Sequence, residues 1–412
     1  MKTVFASWGL VATLGLSALP AAAGYITTDR TVANGYPLNG NYNGQTLLLG
    51  LVSNAGVRVP NLQADVLDPG QFSYNDQTGG GLLAFSNSLV RVQGGVFGQT
   101  SSNGFGGGLH LNDTSHGLIS GGTLQLLNVQ GAAAGANGAL AEVSGGLIQN
   151  GVAGVAIVAN GRLNVTGGTI RASGNGYQSA VVGDAGSVIT VSGGLMQSVS
   201  GAAIRISGGS VLDMAGGTAT GGPNGGAQRG VDIDHASVAA LLHGGTINGG
   251  IRATRYAYAA SLPAVQAVLG GQIVVNGGSF AYADAAIDVF GGSFSPFAGG
   301  DASFFAMGSN TINFFGSGLT LSGPTAGSVF DYNTYVGNYY SFTGGTFRDG
   351  QSAVGVRLFD ALSINGQSTG FGGGFTLTSA VPEPAPFGLM LLALPWLGWV
   401  ARRRQAGTAH PG

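Results

Sequence analysis

Val143-Ser-Gly-Gly-Leu-Ile148, Val165-Thr-Gly-Gly-Thr-Ile170, Val191-Ser-Gly-Gly-Leu-Met196 and Met214-Ala-Gly-Gly-Thr218 are copies of one phrase. Each reads aliphatic, small residue, glycine, glycine, any residue, and usually a second aliphatic. The first glycines are Gly145, Gly167, Gly193 and Gly216, so the steps are 22, 26 and 23 residues. The phrase returns at Gly94, Gly121, Gly244 and Gly277, with looser copies at Gly208, Gly291 and Gly344. A repeat of roughly 20–50 residues marks a solenoid, a propeller or an array.

The residues beside the glycines decide among these. Leu163-x-Val165, Ile189-x-Val191, Leu212-x-Met214 and Ile273-x-Val275 alternate, which puts aliphatics on one face of a strand. Ala202 to Ile206 and Gly230 to Asp234 read as further short strands. Two or three short strands with turns fill one repeat, and that is a coil of a parallel β-helix, stacked at roughly 4.8 Å. Glycine suits the corner because it reaches positive φ without steric cost. A propeller blade needs about 40–45 residues, and a leucine-rich repeat shows a different leucine spacing. A flexible linker would not keep alternating aliphatics beside its glycines. The expected fold is all-β: a right-handed parallel β-helix with terminal caps.

Composition agrees. Glycine makes up 79 of 412 residues, charged residues only 8 %, and hydrophobic residues 44 %, too many for a disordered chain. The net charge of −2 carries no nucleic-acid footprint, and the only lysine is Lys2. With no cysteine there is no disulfide framework and no thiolate metal site.

Residues 1–23 read as a secretory signal peptide: Lys2, an apolar stretch from Val4 to Leu19, and Ala21-Ala22-Ala23, with cleavage between Ala23 and Gly24. Residues 24–80 carry a blurred repeat, as expected of an N-terminal cap with the first coils. Strands are expected over Thr46 to Val52 and Gly56 to Val59, with a turn at Asp68-Pro69-Gly70. Residues 81–302 are the β-helix repeats. The long coil after Gly244 carries an excess in which Ala264 to Leu269 is expected to form a short helix. Residues 303–380 are rich in Phe and Tyr, which suits a cap of antiparallel strands over the last coil.

Residues 381–405 hold Val381-Pro-Glu-Pro384, an apolar run from Phe387 to Val400, and Arg402-Arg403-Arg404; residues 406–412 follow. The run is expected to form a short hydrophobic helix, held with its basic end in the cytoplasm. These elements, in this order, resemble the PEP-CTERM sorting signal of exopolysaccharide-producing bacteria. Pro382, Glu383 and Pro384 match the motif directly, and Arg402, Arg403 and Arg404 match its basic cluster. The resemblance covers residues 381–412 only and departs at Pro395. It implies that an exosortase, a membrane-embedded protease, processes the segment while the inner membrane holds it transiently.

Catalysis has one candidate cluster, Asp232-Ile-Asp234-His235. Asp232 and Asp234 share a strand face, and two carboxylates with a histidine could serve acid/base sugar chemistry. The competing expectation, which we favour, is a solvent-facing strand edge. Asp284 and Asp288 likewise read as solvated. Arg205, Arg229 and Arg255 fall near one coil position and read as a solvated face rather than an arginine stripe for an anionic glycan. No Gly-Gly copy continues into the aspartate pattern of calcium-binding β-rolls, and no phosphate-loop or dinucleotide fingerprint occurs, so no cofactor is expected. The sequence thus reads as an exported envelope or matrix protein with a structural or adhesive role. Its expected partners are an exosortase-like protease and exopolysaccharide. The alternative is a secreted polysaccharide lyase or glycoside hydrolase on the same fold.

Overall fold

The computed structural model describes residues 37–379, apart from short stretches between strands, the longest being 255–265. The sequence readings at residues 1–23, Ala23, Gly24, His235, Arg255, Asp284, 381–405 and 406–412 lie outside the described residues. All described regular structure is strand. The chain forms a parallel β-solenoid with three faces.

One coil consists of Arg162–Val165, Thr169–Ala172 and Val181–Asp184, and the next of Val188–Val191, Leu195–Ser198 and Ile204–Ile206. Each strand pairs in parallel with its counterpart one coil on: Leu163 with Ile189, Ile170 with Met196, Val181 with Ile204. We call these the first, second and third faces in that order. The sequence period of two is therefore the inside–outside alternation of each face. Leu163, Val165, Ile189, Val191, Leu212 and Met214 are all buried, and each such side chain contributes about 1.5–3 kcal/mol of transfer free energy.

The second face carries an interior column in coil-to-coil register: Phe72, Phe97, Leu124, Ile148, Ile170, Met196, Ala219, Ile247, Val275, Phe294. Aromatic rings fill its two ends and aliphatics its middle. Tyr42 stacks on Phe72 at 5.1 Å, and Phe72 on Phe97 at 4.4 Å.

The glycine pair turns the chain from the first face to the second. Thr166 and Gly167 both donate their N–H groups to the Val143 carbonyl of the coil below, at 2.8 and 3.2 Å. A Cβ on Gly167 would collide with the Ser144 carbonyl oxygen. Gly168 has φ +75°, a region that L side chains avoid. The two glycines thus answer two different demands: close approach of neighbouring coils at the first, and a left-handed backbone at the second.

Two expectations change, and a third region fits its reading. Ala264 to Leu269 gives no described helix: Gln266–Leu269 is a strand, paired in parallel with both Ala239–Asn248 and Ala286–Val289. Ala267 and Leu269 point inward over Ala240 and Leu242, so the period of two overrides the helical tendency of alanine. Within 24–80, Gln63–Val66 pairs in parallel with Leu89–Val92, as a first coil does. Among the described residues there, Leu51–Val52 and Val57–Arg58 form a separate antiparallel pair. The C-terminal cap begins later than residue 303. Phe304–Met307 and the first half of Thr311–Leu321 still pair in parallel with the coil below. Antiparallel pairing starts at Gly316 with Phe347 and continues through Thr325–Phe330, Thr334–Phe347 and Arg357–Ile364. Phe314, Phe342 and Phe347 close the core there, Phe342 meeting the other two edge to face, with Phe314 and Phe342 at 5.1 Å.

Two predictions follow from this packing. Gly167→Ala lowers stability by about 1–3 kcal/mol through the forced carbonyl clash, whereas the exposed Arg171→Ala changes it by less than about 0.5 kcal/mol. Urea unfolding of both variants checks this, and equal midpoints would refute the corner argument. The second concerns His110, on the outer side of the third face, with its Nδ1 3.3 Å from Asn128 Nδ2. Burial pushes its imidazole down from 6.5 to about 4. The neutral ring is favoured by folding, so its contribution is complete above pH 6.5 and is lost as pH falls from about 6.5 to about 4. The loss is about 2 kcal/mol after a discount for partial exposure. His110→Asn should flatten the stability-versus-pH curve in that window; an unchanged slope would show that the ring is not desolvated.

Candidate functional site

The strand Val231–Asp234 sits on the third face between Ile204–Ile206 and Ile251–Thr254. Val231 and Ile233 point into the core, so Asp232 and Asp234 point outward together, as the alternation requires. Outward is not solvated here. Asp232 is 5 % exposed and Asp234 1 %, which corrects the expectation of a solvent-facing edge. Coil-to-coil register places Asp232 between Arg205 and Arg252. Arg252 grips Asp232 with two N–H groups, Nε reaching Oδ1 at 2.8 Å and Nη2 reaching Oδ2. Arg205 Nη2 donates to Asp234 Oδ2 at 2.5 Å.

Arg205 and Arg229 therefore do not share a column. Arg205 belongs to a column that alternates in sign, Arg205, Asp232, Arg252, while Arg229 lies just before the strand and outside that column. A bidentate guanidinium on Asp232 is a structural pair. Above it the same column turns aromatic, with Phe280, Phe305 and Phe359 in register. Asp288, the other acidic residue singled out in sequence, accepts from Asn313 Nδ2 at 2.7 Å on the next coil.

A second constellation was not singled out in the sequence. A cavity of about 280 Å³ opens at the corner between the first and second faces, near the C-terminal end. In regular coils the residue before Gly-Gly is small: Ser144, Thr166, Ser192, Ala215. In the coils above, that corner position holds His243, then Gly270, then Phe290. Gly270 has no side chain to fill the gap between its two larger neighbours, and this makes the cavity. Leu241 and Val268 line one side. Arg348 and Asp349, from the turn after Thr334–Phe347, line the other.

That turn is docked by backbone bonds. Arg348 N–H donates to Phe315 O at 2.9 Å, and Asp349 N–H to Phe290 O at 3.1 Å. The Gln351 side chain donates to Gly271 O at 2.8 Å. Arg348 lies over the Phe290 ring at 5.8 Å, and Phe290 stacks on Phe315 at 4.3 Å. His243 Nε2 is 2.8 Å from Asp213 Oδ1 one coil below. Partial burial raises Asp349 above the ordinary carboxylate range, against backbone N–H bonds from Gln351 and Gly292 that lower it. The only sequence signal was the break in the small-residue corner position. Arg348 and Asp349 join from far along the chain.

Among the described residues no group of three or more His, Asp or Glu is placed to hold a metal ion. Nor is any described helix long and apolar enough to cross a membrane. No protein-family model matches the chain, and no characterised protein or solved structure does either. The fold itself defines the class: the protein is a parallel β-solenoid.

The buried pairs give a third prediction. Asp232→Ala strands the Arg252 guanidinium, whose side chain is only 18 % exposed, and should destabilise by about 3 kcal/mol. Replacing both Asp232 and Arg252 by leucine should restore most of the loss. Chemical denaturation of the single and double variants decides it; a neutral Asp232→Ala would mean that solvent reaches the site.

Proposed function

We propose that the chain is an exported, non-catalytic β-solenoid of the cell envelope or extracellular matrix, with a structural or adhesive role. The observation that carries this reading is the ordered series in residues 381–405: Pro382-Glu383-Pro384, an apolar run, then Arg402-Arg403-Arg404. The signal-like stretch 1–23, cut between Ala23 and Gly24, directs the chain across the inner membrane. The run Phe387 to Val400 then stalls as a short helix in the bilayer, because its burial is favourable and passage of three arginines through hydrocarbon is not. The prolines keep Pro382-Glu383-Pro384 extended and open to an exosortase-like protease. The coil is right-handed, on the general rule for crossovers between parallel strands.

The non-catalytic part of the reading is supported by the engagement of Asp232 and Asp234 with arginines. Release of reducing or unsaturated ends from a polysaccharide panel would instead establish the lyase or hydrolase alternative. The sorting part is tested in the native host. Mass spectrometry of the mature protein should find a C-terminus near Glu383 and no Arg402 to Arg404; retained arginines would mean a plain membrane anchor. The triple change Pro382→Ala, Glu383→Ala, Pro384→Ala should leave the unprocessed form in the inner membrane. Unaltered processing of that variant would overturn the sorting role.

A further inference from the structure

We infer that the corner cavity beside Gly270 is a binding site for a neutral pyranose unit of a glycan. This names a ligand class for the adhesive role, but it stands on the cavity's own groups and not on residues 381–405.

The first argument is size. A cavity of about 280 Å³ lies just below the roughly 300–1,000 Å³ of sites for larger organic ligands, so it suits one sugar ring. The second is the division of its walls. Leu241 and Val268 offer an aliphatic surface to the C–H face of a ring. His243, Arg348 and Asp349 offer donors and acceptors to its hydroxyls. The third is charge. Arg348 and Asp349 give the lining one charge of each sign, and His243 Nε2 is 2.8 Å from Asp213 Oδ1. A net charge on the ligand therefore finds no uncompensated partner, while hydroxyls can donate to Asp349 and accept from Arg348. An anionic sugar would meet the Asp349 carboxylate, and a cationic one the Arg348 guanidinium.

The fourth argument is preorganisation. The Arg348–Gln351 turn is fixed by backbone and side-chain hydrogen bonds to Phe315, Phe290 and Gly271. Arg348 is further held over the Phe290 ring, which is braced by Phe315. The polar groups are thus set before a ligand arrives, which lowers the ordering cost of binding.

The cavity also supplies its own clean test. Gly270 has no positive φ, and a Cβ there would meet only Phe290 Cβ at 3.7 Å, an ordinary contact. Gly270→Leu should therefore fold normally and fill the cavity. The experiment uses the full chain as its host produces it, purified in detergent, with thermal melting as the control for folding. Saturation-transfer NMR and calorimetry are run with methyl glucoside, methyl galactoside, methyl mannoside and N-acetylglucosamine, alongside glucuronate and glucosamine. At least one neutral pyranoside should bind, with a dissociation constant on the order of millimolar for so small a ligand. Gly270→Leu should weaken that binding by at least about tenfold at an unchanged melting temperature, and Arg348→Gln should weaken it severalfold. Absence of binding by every neutral pyranoside overturns the proposal. So does binding that survives Gly270→Leu, which would place the site elsewhere, and so does a preference for glucuronate or glucosamine. None of these outcomes bears on the mass of the processed C-terminus, so this proposal and the sorting reading fail separately.

Discussion

At the corners of this solenoid, a backbone carbonyl occupies the place where a side chain would begin. The Ser144 oxygen stands against Gly167, the Thr166 oxygen against Gly193 and the Ser192 oxygen against Gly216. That closeness follows from the inter-coil hydrogen bonds, which hold neighbouring strands about 4.8 Å apart. A chain that must bend sharply at this spacing, at one corner of every coil, has little choice but glycine there. Its cost in unfolded-state entropy is then spread over the whole repeat. In compensation, each coil satisfies its backbone polar groups on the coils above and below, and its aliphatics enter continuous interior columns.

Stacking in register also governs what the outer faces can hold. Every outward residue has a neighbour of the same column about 4.8 Å away on each side. Hydroxyls and amides tolerate this, and Thr220, Asn248 and Asn276 link side chain to side chain along the second face at 3.1 and 2.9 Å. Charges tolerate it only if the sign alternates. Asp65 with Arg91, and Arg205, Asp232 and Arg252, obey that rule. A slip of one coil position would set like charges together, so the buried Arg–Asp column penalises misregister even where its net contribution to stability is small. The low charge content of the chain has the same origin.

The glycine spacing and the aliphatic alternation were enough to reach the solenoid, because both are local consequences of the coil. Ala264 to Leu269 misled because an alanine-rich run has helical propensity, and only the coil beneath it, with Ala240 and Leu242, selects a strand. Asp232 and Asp234 misled in the opposite way. Their alternation with Val231 and Ile233 correctly gave their direction, but direction does not say what covers a face, and the arginines beside them come from other coils. The corner cavity was legible only as an anomaly. His243, Gly270 and Phe290 stand where small hydroxylated residues usually stand, and nothing local ties them to Arg348 and Asp349.

That last contact joins two tasks in one segment. A stack of parallel strands has an open end that would template further strands unless something turns away or covers it. Here Thr311–Leu321 runs on past the last coil, and Thr334–Phe347 returns antiparallel to it from Gly316 onward, placing Phe342 and Phe347 against Phe314. The turn that follows Phe347 cannot stop at the end of the core. A backbone bond to Phe290 and the Gln351 side-chain bond to Gly271 carry it down the outside of the corner. The cap is thereby latched to coils below the end it covers, and the latch supplies the guanidinium and carboxylate that wall the cavity. Loosening the cap would open the site, and filling the site would hold the cap in place, because the same residues carry both contacts.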